Sequence, residues 1–383
     1  MKIVIAPDSF KESMTALEAA IAIEKGFSKI FPEAEYIKVP MADGGEGTVQ
    51  SLVDATNGRL IEKSVTGPLG EPVKAVFGLL GDEKTAIIEM AEAAGLHLVR
   101  PNERNPLHST TFGVGELILA AIDYGADHII IGLGGSSTND GGAGMAQALG
   151  ANLLDKEGRE IGFGGGALSA LNRIDLTNLH PGLAKVKFTA ACDVDNPLTG
   201  PNGASAIFGP QKGATEEMVA ELDANLHHFA EIIKRDVNAS VNGISGAGAA
   251  GGLGGGMIAF LSAELKSGIQ IVIEESKLRD VLCHADLVIT GEGKIDGQTV
   301  RGKTPIGVSK VAKESGIPVV AIAGTIGKDS GKVHDFGIDA LFSIVPGAVT
   351  IEDAMENAKV YTEQLAEQIA RLFKKNFSKN ETL

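Results

Sequence analysis

Lys2-Ile3-Val4-Ile5-Ala6, closed by Pro7 and followed by Asp8, is a short β-branched run that reads as a buried strand with a carboxylate at its end. Thr15-Ala-Leu-Glu18 then has the spacing of a capping box and opens a helix. Glu35 to Val39 reads as a second strand, stopped by Pro40, and the loop Met41-Ala-Asp-Gly-Gly-Glu-Gly47 leads into a helix from Thr48 to about Ala55. Strand–helix–strand–helix order implies parallel pairing through right-handed crossovers.

The same rhythm returns at the far end of the chain. Strands are expected at Asp286–Thr290, Pro318–Ala323 and Ala340–Val345, with helices near Pro305–Ser315 and Ile351–Phe373. Five parallel strands drawn from both ends would form one doubly wound, flavodoxin-like α/β domain made of 1–57 and 277–383. The middle, 58–276, would be an inserted mixed α/β domain. Its expected elements are an antiparallel meander between Arg59 and Glu89, a helix near Phe112–Tyr124, strands His128–Leu133 and Val186–Cys192, and a long helix Thr215–Asp236. In open sheets of this kind a ligand lies beyond the carboxyl ends of the strands, and two domains add a cleft.

Composition narrows the partners. The 383 residues are 44% hydrophobic and 22% charged, with 50 glycines and a formal net charge of −15. That charge argues against nucleic acid, which needs a basic face. Two cysteines, Cys192 and Cys283, give neither a disulfide framework nor a cysteine zinc site. Without a signal-peptide pattern at the first strand, a cytoplasmic protein is expected. The uncharged stretch 237–263 is too rich in glycine to cross a membrane.

The strand ends carry the polar residues. Asp8, Ser9 and Lys11 follow the first strand, and Asp43, Gly44, Gly45 and Glu46 the second. Gly291-Glu-Gly-Lys-Ile-Asp-Gly-Gln-Thr-Val-Arg-Gly-Lys303 follows the third, and the insert adds Gly132 to Gly144 and Cys192-Asp-Val-Asp-Asn-Pro197. Short carboxylates beside glycines and a few cations suit Mg²⁺-assisted phosphoryl transfer, which needs charge neutralisation and alignment more than covalent help. Asp193 and Asp195, two apart past a strand, face the same side of an extended chain. They share a magnesium ion, divide base and metal duties, or form a solvated turn ahead of Pro197.

Two pattern matches are set aside. Gly297-Gln-Thr-Val-Arg-Gly302-Lys303-Thr304 fits the phosphate-loop expression, but Gly291–Asp296 separates it from the expected strand end. Lys303 can still hold a phosphate as a point charge. Gly246-Ala-Gly-Ala-Ala-Gly251 fits the dinucleotide fingerprint with no strand before it, so NAD is discounted.

Taken in order, Ala6-Pro-Asp-Ser-Phe-Lys11, Pro40-Met-Ala-Asp-Gly-Gly-Glu-Gly-Thr48, Gly132 to Gly144, Ala191-Cys-Asp-Val-Asp-Asn-Pro197 and Gly291-Glu-Gly-Lys-Ile-Asp296 with Gln298-Thr299 resemble the bacterial-type glycerate kinase family over essentially the whole chain. The resemblance implies phosphorylation of D-glycerate by ATP, with the 2-hydroxyl as acceptor, and a two-domain α/β fold with a cleft and no true Walker loop.

Loop placement suggests the roles. Asp193 and Lys11 are the expected catalytic groups, Asp193 as base. Asp43 and Asp195 are expected near the metal. Gly44, Gly45, Gly291, Glu292, Gly293, Lys294, Arg301 and Lys303 are expected around the nucleotide phosphates. Asp8, Ser9, Ser136, Ser137, Thr138 and Asn139 are expected on the substrate. A kinase of another small hydroxy acid, or a ligand-binding regulator without turnover, is the competing reading.

Overall fold

The computed structural model describes residues 1–380. The chain divides into two compact units. One comprises Met1–Asp43, Gln50–Asn57 and Ile269–Leu383, and the other Gly44–Val49 and Gly58–Gly268. The second unit thus takes Gly44–Val49 in addition to the residues from Gly58 onward. It ends at Gly268, not 276, because the next residues pack within the first unit: a Cβ on Gly307 would lie 2.2 Å from Ile269.

The first unit begins with β1 (Lys2–Pro7) and β2 (Glu35–Lys38). Between them the helix Ala16–Ser28 starts as the spacing predicts: Thr15 Oγ1 accepts the Glu18 N–H, and Glu18 accepts the Thr15 N–H.

The second unit holds β3 (Arg59–Thr66), β4 (Pro72–Leu79) and β5 (Thr85–Glu89), the expected antiparallel meander. The same sheet continues in parallel through β6 (His128–Gly132), passing over the ribbon β7 (Asn152–Leu154) and β8 (Arg173–Asp175) to β9 (Lys187–Ala191) and β10 (Glu264–Lys266). Its order is β10-β9-β6-β5-β4-β3. Phe77, Ile88, Ile129, Ile131, Phe229 and Met257 fill its core. Burying each such side chain contributes roughly 1.5–3 kcal/mol.

The chain then returns to the first unit as β11 (Leu287–Ile295), β12 (Val319–Ile326) and β13 (Ala340–Ser343). All five strands there are parallel, in the order β13-β12-β11-β1-β2. Connections run to one side after β1 and to the other after β11, so the switch point lies between these strands, where the Asp8 N–H donates to Gly291 O at 2.8 Å. The helix Ala16–Ser28 packs on the helix Ala358–Asn380. Gly26 makes the close approach possible, since a Cβ there would sit 2.3 Å from Glu363 O. Among the described residues no helix is long and apolar enough to cross a membrane.

β11 corrects one expectation. Gly291 to Ile295 is strand and not loop, because pairing with β12 continues through Ile295↔Ile326. Glycine suits these positions sterically: a Cβ on Gly291 would lie 2.3 Å from Ile322 O.

Candidate active site

In the first unit Asp8, just past the carboxyl end of β1, lies with Glu292 of the neighbouring β11, Thr304 and Lys303. Asp8 accepts the Ser9 N–H at 2.6 Å and the Thr304 hydroxyl at 2.6 Å. Burial pushes its carboxyl up to about 7, against the Thr304 bond, and the neighbouring charges of Asp43 and Glu292 add to the rise. Glu292 is buried at 7% exposure and accepts the Thr299 hydroxyl at 2.7 Å, with Lys303 Nζ at 3.3 Å. Burial raises its carboxyl too, while Thr299 and Lys303 oppose the rise and Asp43 adds to it. A Cβ on Gly293 would sit 3.4 Å from Lys11 N, which places the exposed Lys11 beside the third strand's glycine.

Other expected phosphate groups face solvent. Lys294 is exposed and paired with Asp296 at 2.9 Å, and Arg301 is exposed at the end of a short 3₁₀ turn. The phosphate-loop expression also fails, for a better reason than spacing. β11 reaches Ile295 and a helix starts at Thr304, so the context is closer to a true loop than expected. However, the N–H groups of Gly297, Gln298, Thr299, Arg301 and Lys303 all donate to acceptors of the protein itself. A phosphate cradle needs those groups turned outward.

In the second unit a cavity of about 360 Å³ is lined by Gly134, Gly135, Ser136, Asp193, Gln211 and Lys212, among others. Asp193 follows β9, is exposed, and accepts the Gly268 N–H at 3.0 Å. Asp195 is exposed as well and is not part of the cavity wall. Lys212 is 1% exposed and donates to Ser136 Oγ and Thr138 O, both at 2.7 Å. Burial lowers its ammonium to about 7, against the opposing charge of Asp140.

The polar run after β6 divides. Ser136 lines the cavity, whereas Ser137 donates to Ala94 O and Asn139 to Ser205 Oγ, and Thr138 is fully buried. Asp140, fully buried, accepts from the Thr111 N–H and hydroxyl and from the Gly142 and Gly144 N–H groups, so it holds the loop. Burial raises its carboxyl even against those bonds.

A second cavity of about 370 Å³ is walled by Gly44, Gly45, Gly132 and Gly134 together with Glu46, Glu89 and Glu92. Glu89, at the end of β5, accepts the Val49 N–H at 3.0 Å and fastens the Gly44–Val49 loop. Burial raises its carboxyl, against the Val49 bond, and Glu92 adds to the rise. Gly44 itself (φ +95°) packs tightly: a Cβ there would lie 2.5 Å from Gly268 Cα and 3.2 Å from Asp193 Oδ2.

The model of the Glycerate kinase family matches residues 3–374. The chain belongs to the glycerate kinase family. It is 62% identical to the glycerate kinase of Bacillus subtilis strain 168 over 98% of both chains, and 57% identical to the glycerate 2-kinase of Escherichia coli K12 over 94% of both. A crystal structure of a candidate glycerate kinase 2 from Salmonella typhimurium LT2 superposes with a TM-score of 0.92 at 52% identity, covering 99% of each chain. The two-domain α/β class expected from the sequence is that of this family.

Within this family member, sequence reasoning passed over Lys212 and Glu89. Lys212 had a signal, since it is the one charged residue between Asp195 and Glu216, inside Gly209-Pro-Gln-Lys-Gly213. Glu89 had one too, as the carboxylate ending an apolar strand. The dinucleotide-like glycines serve packing: Cβ atoms on Gly248 and Gly251 would lie 2.2 Å from Pro197 O and 1.9 Å from Thr138 O.

The glycerate kinase fold also leaves a charge signature on stability. Burial pushes the folded Asp8 carboxyl up to about 7, well above the ordinary carboxylate range, so native stability falls as pH rises from about 4 through 7. Asp8→Asn should therefore raise Tm by a few degrees at pH 8 in metal-free buffer and change little at pH 4. Thermal unfolding at the two pH values checks this; an equal shift at both would show that ionisation is not the cause.

Proposed function

We propose that the chain transfers the γ-phosphoryl group of ATP to the 2-hydroxyl of D-glycerate with Mg²⁺. The observation that carries this reading is the cavity of about 360 Å³ lined by both Asp193 and Lys212, a carboxylate base and an amine in a space suited to a three-carbon acid. The E. coli relative described as a glycerate 2-kinase supports the choice of hydroxyl.

Asp193 accepts the proton of the substrate hydroxyl, held in place by the Gly268 N–H. Lys11, Arg301 and Lys303 neutralise phosphate oxygens. Asp43 is the metal group, and the rise that its charge adds to the Asp8 and Glu292 carboxyls supports a local excess of negative charge that Mg²⁺ would neutralise. Bound Mg²⁺ and ATP supply the phosphoryl group and the neutralisation of its developing charge.

ADP release on adding D-glycerate to protein, ATP and Mg²⁺ is the test. Release with D-glycerate and none with glycerol supports the reading. No release with D-glycerate would remove it and leave another hydroxy acid or a binding role.

A further inference from the structure

We propose that Lys212 is the group that binds the substrate's carboxylate, taking up a proton as it does so. The inference rests on the kinase reading only for the identity of the acid.

The geometry is that of an amine with one open position. An ammonium has three N–H donors. Lys212 uses two, on Ser136 Oγ and Thr138 O. Those are its protein acceptors, and the residue lines the cavity although its side chain is 1% exposed. Among the residues lining this cavity it is the basic one, and Asp193 the acidic one. An acid held by its carboxylate at Lys212 would keep its hydroxyl for Asp193.

Protonation follows from the same arrangement. A neutral amine already satisfies Ser136 and Thr138 with two N–H groups and turns its lone pair to the open position. Burial favours that neutral form, holding the group near 7 against the pull of Asp140. Asp193 is the other charged residue lining the cavity. An arriving carboxylate reverses the preference, because an adjacent anion stabilises the ammonium. The third N–H then forms from a solvent proton and donates to the carboxylate.

Titration calorimetry of D-glycerate into the full-length protein, in two buffers of different ionisation heat, reads this directly. At pH 8 we expect uptake approaching one proton per D-glycerate bound, and little at pH 6, where Lys212 is already charged. Lys212→Met should abolish the uptake and raise KM for D-glycerate about a hundredfold while moving KM for ATP by less than about twofold. No uptake by the wild type at pH 8 overturns the proposal whether or not the variant folds. So does a folded Lys212→Met protein that keeps its uptake, or one whose loss falls on ATP. Wild type that binds D-glycerate with uptake but releases no ADP would remove the kinase reading and keep the carboxylate site. Wild type that releases ADP, with Lys212→Met unchanged in KM, would do the reverse.

Discussion

Asp193→Asn is expected to lower kcat by at least about a hundredfold with Tm nearly unchanged, the typical worth of a general base. Asn has the shape of Asp, and its Oδ1 still accepts the Gly268 N–H that fixes the side chain at 3.0 Å. What it loses is the capacity to take a proton from a hydroxyl. Because Asp193 is exposed, removal of its charge relieves no buried ion, and little stability is at stake. A fall in kcat with KM nearly constant would place the effect in the transition state. Near-normal turnover would remove Asp193 from the base role and turn attention to the other carboxylates of the second unit.

Gly44→Ala is expected to lower kcat about a hundredfold by a different route, through position alone. Its added Cβ would lie 2.5 Å from Gly268 Cα and 3.2 Å from Asp193 Oδ2. The first is a backbone atom and cannot rotate aside, so Gly268 must move and carry the N–H that holds Asp193. The positive φ of 95° adds strain, and together these cost about 2–4 kcal/mol. Gly47→Ala is the control in the same loop. Its φ of 88° carries similar strain, but no atom lies within 4 Å of the new Cβ. Turnover within a few-fold of wild type for Gly47→Ala, against a large loss for Gly44→Ala, would show that contact with Gly268 matters. Equal losses in both would assign the effect to loop strain.

The five-stranded sheet was legible because its central strands β1, β11 and β12 are mostly buried and so read as apolar runs, while the edge strand β2 stops just before Pro40. The capping box at Thr15 was legible because it is a local bond between residues three apart. The extent of β11 was not, because Gly291 and Gly293 look like loop residues until their neighbours in β12 are known. Strands β7, β8 and β10 are three residues each, too short for alternation to show.

The site was legible in the same uneven way. Carboxylates at strand ends, such as Asp8 and Asp193, follow from topology. The roles of Ser137 and Asn139 depend on Ala94 and Ser205, far along the chain, and Thr138 is buried beside them; burial of that kind leaves no local pattern. Lys212 was hidden for the same reason. A lysine between a proline turn and a glycine resembles a surface residue until the loop after β6 closes over it.

The most direct test of the central claim uses D-glycerate, ATP and Mg²⁺ with the purified protein, followed by enolase alone. Phosphoenolpyruvate without added phosphoglycerate mutase is the predicted result, since enolase dehydrates the 2-phosphate. Signal only after mutase is added would move the phosphate to the 3-hydroxyl and contradict the account of which hydroxyl Asp193 serves.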